Sequence, residues 1–188
     1  MNFTLIPNLL QLFQKYKSVL RFIAMFLGSY LVFSVIYHLY LRLFRSATYY
    51  PDYITHLVAK QSEALIASMG YGAEIIPHLS ELSMKLIVNN TYLARIVEGC
   101  NAVSIIILFA AFVLSFFGKL KLTLFYLLAG AVIIYAMNII RIAILAIGIY
   151  EYPQHTEFLH SIIFPLIIYG TVFILWVIWV RIYSAKGL

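Results

Sequence analysis

The chain contains a single cysteine, Cys100. A polar, strand-like run ending Arg95-Ile96-Val97-Glu98-Gly99 leads into it, and a charge-free apolar run, 102–117, leads away. A lone thiol cannot close an internal disulfide. It is inert packing, one half of a bridge to a partner, or a nucleophile. A nucleophilic thiol reacts as the thiolate, which a nearby cation favours. It also needs a group that moves protons near neutral pH and a donor for the developing oxyanion. Arg141 and His160 are residues of those types, and together with a thiol they supply what acyl transfer requires.

These residues lie far apart in sequence, so other elements must bring them together. The chain has 188 residues, 64% hydrophobic and 11% charged, with a mean hydropathy of +0.96. So little polarity excludes an ordinary soluble domain and makes a bilayer the expected solvent. The net charge of +6 comes without a basic run, so it indicates residues flanking membrane segments and no nucleic-acid partner. Apolar runs at 22–41, 102–117, 122–137 (resuming at 139–150) and 161–180 are each near the roughly 20 residues that cross about 30 Å of hydrocarbon. About four membrane helices are expected. Met1 to Lys17 lacks a short apolar core followed by a small-residue cleavage site, so the first run is expected to be a retained anchor.

With the N-terminus inside, Lys15, Lys17, Arg21, Lys119, Lys121, Arg181 and Lys186 are cytoplasmic, seven against six outside (Arg42, Arg45, Lys60, Lys85, Arg95 and Arg141). The short basic turn 118–121 is the better marker. All seven acidic residues then fall outside, which agrees. The resulting division is a cytoplasmic N-terminus (1–21), membrane helix (22–45), extracytoplasmic cap (46–98), helix (99–117), turn (118–121), helix (122–141), interfacial segment (142–160), helix (161–180) and cytoplasmic tail (181–188). A single helix from Leu122 to Tyr150 would be roughly 43 Å long, more than a straight crossing needs, so a break near Arg141 is expected.

In the cap, Asp52 after Pro51 can start a helix and Gly70 can end it. The runs 84–88 and 91–97, separated by Asn89-Asn90, predict a β-hairpin, because asparagine tolerates positive φ. The fold class is therefore an all-α integral membrane bundle carrying a small extracytoplasmic cap of helix plus β-hairpin.

Depth follows from the rise per residue. Arg141 lies 19 residues after Leu122, and at about 1.5 Å each this is roughly 28 Å, which returns the chain to the outer boundary. His160 immediately precedes the last apolar run, and Cys100 opens the second. All three therefore belong to one plane. Asn138, three residues before Arg141, shares its helix face. Glu98, two residues before the thiol, can orient His160 or Arg141. Each residue also has an ordinary explanation: a buried structural cysteine, an arginine snorkelling to the interface, a surface histidine. Apolar sequence on both sides of Arg141 makes idle placement costlier. His155, Glu157 and His160 do not suggest a metal, since a histidine spacing of five does not put two ligands on one helix face. His38 within the first helix suits packing, and Trp176 and Trp179 suit an interfacial belt.

The string Glu98-Gly99-Cys100-Asn101-Ala102 resembles the nucleophile motif of the exosortase/archaeosortase family, usually written E-x-C-S-G. Asn138-Ile139-Ile140-Arg141 resembles that family's helix-end arginine, and His160 its histidine before the next helix. The stretch from His160-Ser161-Ile162-Ile163-Phe164-Pro165 through Trp179 is most similar to the short exosortase F branch of Bacteroidota. The likeness spans roughly 89–180, and Asn-Ala replaces Ser-Gly after the cysteine. It implies a cysteine transpeptidase of the bacterial inner membrane, with its site facing the periplasm and no cofactor or metal. It implies as partners secreted proteins with a C-terminal sorting tail (a short motif, a membrane helix and a basic end), and a lipid or surface-polysaccharide precursor as acceptor.

On this reading Cys100 is the nucleophile, His160 moves protons, and Arg141 stabilises the oxyanion or positions the scissile carbonyl. Glu98, Asn101 and Asn138 support them or the substrate. The rivals are a non-enzymatic membrane scaffold with a packed cysteine, and a protease that hydrolyses without transfer.

Overall fold

The computed structural model describes residues 13–44, 49–116 and 119–185. Arg45, Gly118 of the expected turn and Lys186 lie outside the described residues. The elements in chain order are α1 (Lys17–Leu43), α2 (Tyr53–Ser68), β1 (Ala73–Pro77), β2 (Ser83–Val88), β3 (Thr91–Val97), a 3₁₀ turn (Glu98–Cys100), α3 (Val103–Ser115), α4 (Leu120–Glu151), α5 (Thr156–Phe158), a π-helical turn (Leu159–Ile163) and α6 (Phe164–Ala185). By length and composition α1, α4 and the segment Pro153–Tyr183 containing α6 can each cross a membrane, while α3 is a shorter apolar helix. The chain is thus a helical membrane protein with a small sheet.

The cap forms for the local reasons its residues suggest. The Asp52 carboxylate accepts from the backbone N–H groups of Ile54 and Thr55 and so caps α2. Gly70 at φ 92° ends it, in the left-handed region that costs glycine little. Asn89 and Asn90, at φ 46° and 65°, make the two-residue turn between β2 and β3.

Three features differ from the sequence expectation. The cap holds a three-stranded antiparallel sheet, ordered β1-β2-β3, rather than a hairpin alone. Strand β1 is five residues ending in proline, with too little alternation to announce itself. Helix α3 spans only Val103–Ser115, shorter than the expected membrane helix 99–117 and not long enough to count as a crossing, so Cys100 lies in the turn before it. Most consequentially, α4 runs unbroken through Arg141 to Glu151.

The continuity of α4 has a packing cause. Beyond Arg141, Ile142, Ala143 and Ala146 join Val58 and Ile66 of α2 and Met84, Leu86 and Val88 of β2 in one buried cluster. The last turns of α4 are therefore the post around which the cap is built, not an interfacial segment. At about 1.5 Å per residue the 32-residue helix is roughly 48 Å long, enough to cross a bilayer and still reach the cap. Burial of each large apolar side chain in this cap core stabilises by about 1.5–3 kcal/mol.

A second cluster lies between the membrane helices: Phe109 and Val113 of α3, Ile134 of α4, and Ile168, Val172, Leu175 and Trp179 of α6. Lipid tails are as apolar as these side chains, so close packing holds this cluster together. Gly130 permits it: a Cβ there would stand 2.3 Å from the ring of Phe109.

Candidate active site

Three elements meet at the cap end of α4. Strand β3 delivers Cys100 through the 3₁₀ turn. Two hydrogen bonds then fix the turn from different sides. Asn138 of α4 donates through Nδ2 to the Cys100 carbonyl at 2.7 Å. The Asn101 side-chain oxygen Oδ1 accepts from the N–H of Val103 at 3.0 Å, at the start of α3. The Asn101 amide group donates to Tyr37 Oη of α1 at 2.7 Å and to Thr55 Oγ1 of α2 at 3.0 Å. Asn101, 1% exposed, thus ties α1, α2 and α3 together beneath the thiol. Tyr37 Oη donates in turn to the Glu98 carbonyl at 3.4 Å.

Between Asn101 and Val103 the backbone is strained. Ala102 adopts φ 65°, ψ −4°, a left-handed conformation that costs a residue with a Cβ roughly 1–2 kcal/mol. This non-glycine strain sits two residues after the half-buried cysteine, where strain commonly marks a working site.

Arg141 is 6% exposed. Its guanidinium carbon lies 3.6 Å from the centre of the Phe164 ring, a cation–π contact. It is within electrostatic range of Cys100 and Tyr169. Its Nε has no hydrogen-bond partner. Among the described residues it makes no ion pair; the pairs present are Lys60–Glu63 and Arg95–Glu81, both in the cap. A buried guanidinium without a carboxylate is costly and is available to an incoming anion or carbonyl. Glu98 does not neutralise it. Its Oε1 is buried without a partner, as is the Oδ1 of Asn138.

His160 lies in the π-helical turn before α6. Pro165 explains that turn, because it has no N–H for the carbonyl of Ser161 and the hydrogen-bond ladder must shift. Such turns are frequent at functional sites. The His160 ring stacks on Phe164, with 5.4 Å between centroids and 9° between planes. Phe164 therefore carries both the arginine and the histidine. Sequence reasoning missed it, although its position four residues after His160 was the available sign.

Cys100 and His160 line one cavity of about 390 Å³, together with Phe164, Thr156, residues of β3 and the apolar face of α4 from Ile142 to Ile149. Its size is that of an ordinary ligand pocket. Arg141 is not one of the lining residues; it packs on Phe164, which is. At the cap's far side Tyr71 donates to Glu151 at 3.0 Å. That carboxylate, aided by partial desolvation, holds the phenol above its ordinary pKa. Among the described residues no cluster of three or more His, Cys, Asp or Glu could hold a metal ion.

The chain matches no curated protein and no solved structure at a significant level. A family profile described as transmembrane exosortase does match, over residues 9–181. That span takes in α1, the cap, the cysteine turn, α4 and most of α6, and therefore every residue around the cavity. The chain belongs to the transmembrane exosortase family.

Proposed function

We propose that the chain is a cysteine transpeptidase that cuts the C-terminal sorting tail of secreted proteins at the membrane surface and transfers the new acyl end to an acceptor. Family membership makes it a membrane-embedded protein of the peptidase and transpeptidase type used in sorting. The observation that supports the finer reading is the shared cavity: Cys100 and His160 both line it, and an arginine without an ion pair among the described residues packs on the same ring as His160.

The chemistry proceeds in two halves. His160 accepts the thiol proton, and Cys100 Sγ attacks the scissile carbonyl carbon. Charge develops on the carbonyl oxygen, and Arg141 stabilises it. The C–N bond breaks, the amine leaves with the proton from His160, and a thioester remains on Cys100. An acceptor amine or hydroxyl then gives its proton to His160 and attacks the thioester, and the thiol is restored. Water in the acceptor's place gives plain hydrolysis. The acceptor class we favour is a lipid or surface-polysaccharide precursor, and the cap side is the periplasmic side of the inner membrane.

The test is processing of a co-expressed secreted protein carrying such a tail. Cys100→Ala and Cys100→Ser are expected to insert normally and leave the tail uncut. Normal processing by both variants ends the assignment. Mass spectrometry of the product separates transfer, which adds an adduct at the new C-terminus, from hydrolysis, which adds water.

A further inference from the structure

The two edges of the cap sheet are treated differently. At the β1 edge, the outward N–H of Ile75 is taken by Glu63 Oε1 at 2.9 Å. Pro77 at its end has no N–H to offer. That edge is closed against further pairing. The β3 edge is not. Strand β3 pairs on one side with β2 and, among the described residues, with no strand on the other.

The unpaired edge faces the cavity. Five consecutive residues, Leu93, Ala94, Arg95, Ile96 and Val97, line it, and Cys100 follows. Side chains of a strand alternate between the two faces of the sheet. Residues of both faces border this space, so it runs along the strand past its outer edge, where alternate backbone N–H and C=O groups point; Leu86 of β2 lines it as well. Three residues beyond this edge is the thiol.

We infer that the free edge of β3 is the substrate-binding strand: the peptide to be cut adds to the sheet as a fourth strand, in extended form and parallel to β3, with its scissile carbonyl carried to Cys100. This rests on the function proposed above. Main-chain pairing of this kind gives affinity with little demand on sequence, and alternate side chains enter pockets that set specificity. Here the facing wall is Ile142, Leu145, Ala146 and Ile149, so apolar side chains are favoured at alternate positions. Parallel direction follows from the path of the chains. Strand β3 runs from the cap towards helix α3, and a tail that descends from the aqueous side into the bilayer past Cys100 runs the same way.

The test uses the full chain in lipid nanodiscs as the Cys100→Ala variant. The probes are heptapeptides of alternating valine and threonine, each carrying one benzophenone side chain at a successive position. Photo-crosslinks mapped by mass spectrometry are expected on residues 93–97, moving towards Val97 as the benzophenone moves towards the peptide C-terminus. N-methylation of alternate amides in one phase is expected to cut the yield at least tenfold, and in the other phase to leave it within about twofold. Crosslinks elsewhere, the reverse order, equal sensitivity in both phases, or no crosslink at millimolar peptide overturns the inference. The parent protein is labelled in parallel with a small chloroacetamide. An unreactive Cys100 beside an intact β3 crosslink pattern removes the nucleophile reading and leaves strand addition standing. A reactive Cys100 without that pattern does the reverse.

Discussion

Asn138 holds the Cys100 backbone from across the molecule: its Nδ2 donates to the cysteine carbonyl at 2.7 Å, joining α4 to the turn that carries the thiol. Asn138 has no exposed surface. Asn138→Ala leaves that carbonyl without its partner, at a cost on the order of 1–3 kcal/mol. A lowered melting temperature and slower tail processing are expected, with Cys100 still labelled by small thiol reagents. Unchanged stability and processing would show that the turn holds itself.

Arg141 tests whether a charge is kept for function at a structural cost. It is buried, lacks an ion pair among the described residues and is held by the Phe164 ring. Arg141→Met fills similar volume without the charge. It is expected to melt no lower than the parent while processing falls by about 100- to 1,000-fold, the scale of losing an oxyanion donor. Arg141→Lys keeps the charge but loses the planar stack, so an intermediate rate is expected. A marked drop in melting temperature for the methionine variant would make the arginine structural.

Phe164 is expected to matter through what rests on it. Phe164→Leu keeps an apolar side chain but removes the ring that both Arg141 and His160 contact. The rate of tail cleavage is expected to fall at least tenfold with insertion unaffected. Phe164→Tyr, which keeps the ring face, is expected to restore most of it. Equal loss in both variants would mean that packing alone is at stake.

Ala102 occupies a backbone conformation made for glycine. Relief of the left-handed strain exceeds the entropy cost of the glycine, so Ala102→Gly is expected to gain on the order of 1 kcal/mol. Thermal melting reads this directly, and loss of stability would mean the Ala102 methyl packs more usefully than its burial suggests. Where the motif it resembles has Ser-Gly, this chain has Asn-Ala: Asn101 Oδ1 holds the N–H of Val103, and Ala102 takes the left-handed turn with strain.

Gly130 is the opposite case. A methyl group there meets Phe109, which is fully buried and cannot swing aside. Gly130→Ala is expected to cost about 1–3 kcal/mol through separation of α3 and α4. A wild-type melting temperature would show that the helices part without penalty.

What could be read from the chain alone was one-dimensional. Apolar run lengths located three helices long enough to cross a membrane and a shorter fourth, and a fixed rise per residue led to the expectation that Arg141, Cys100 and His160 share one depth. Asp52, Gly70 and Asn89-Asn90 announced their cap and turns because those preferences are local. Rotation about each helix axis and the association of distant segments were not legible, because packing between elements sets them. Only the tertiary structure joined β1 to the sheet, carried α4 unbroken into the cap core, placed Phe164 under both Arg141 and His160, and left one edge of β3 open beside the thiol. The break expected near Arg141 failed for the same reason. Helix length was judged against bilayer thickness, whereas Ile142, Ala143 and Ala146 gain more by burial in the cap than the chain gains by turning along the interface.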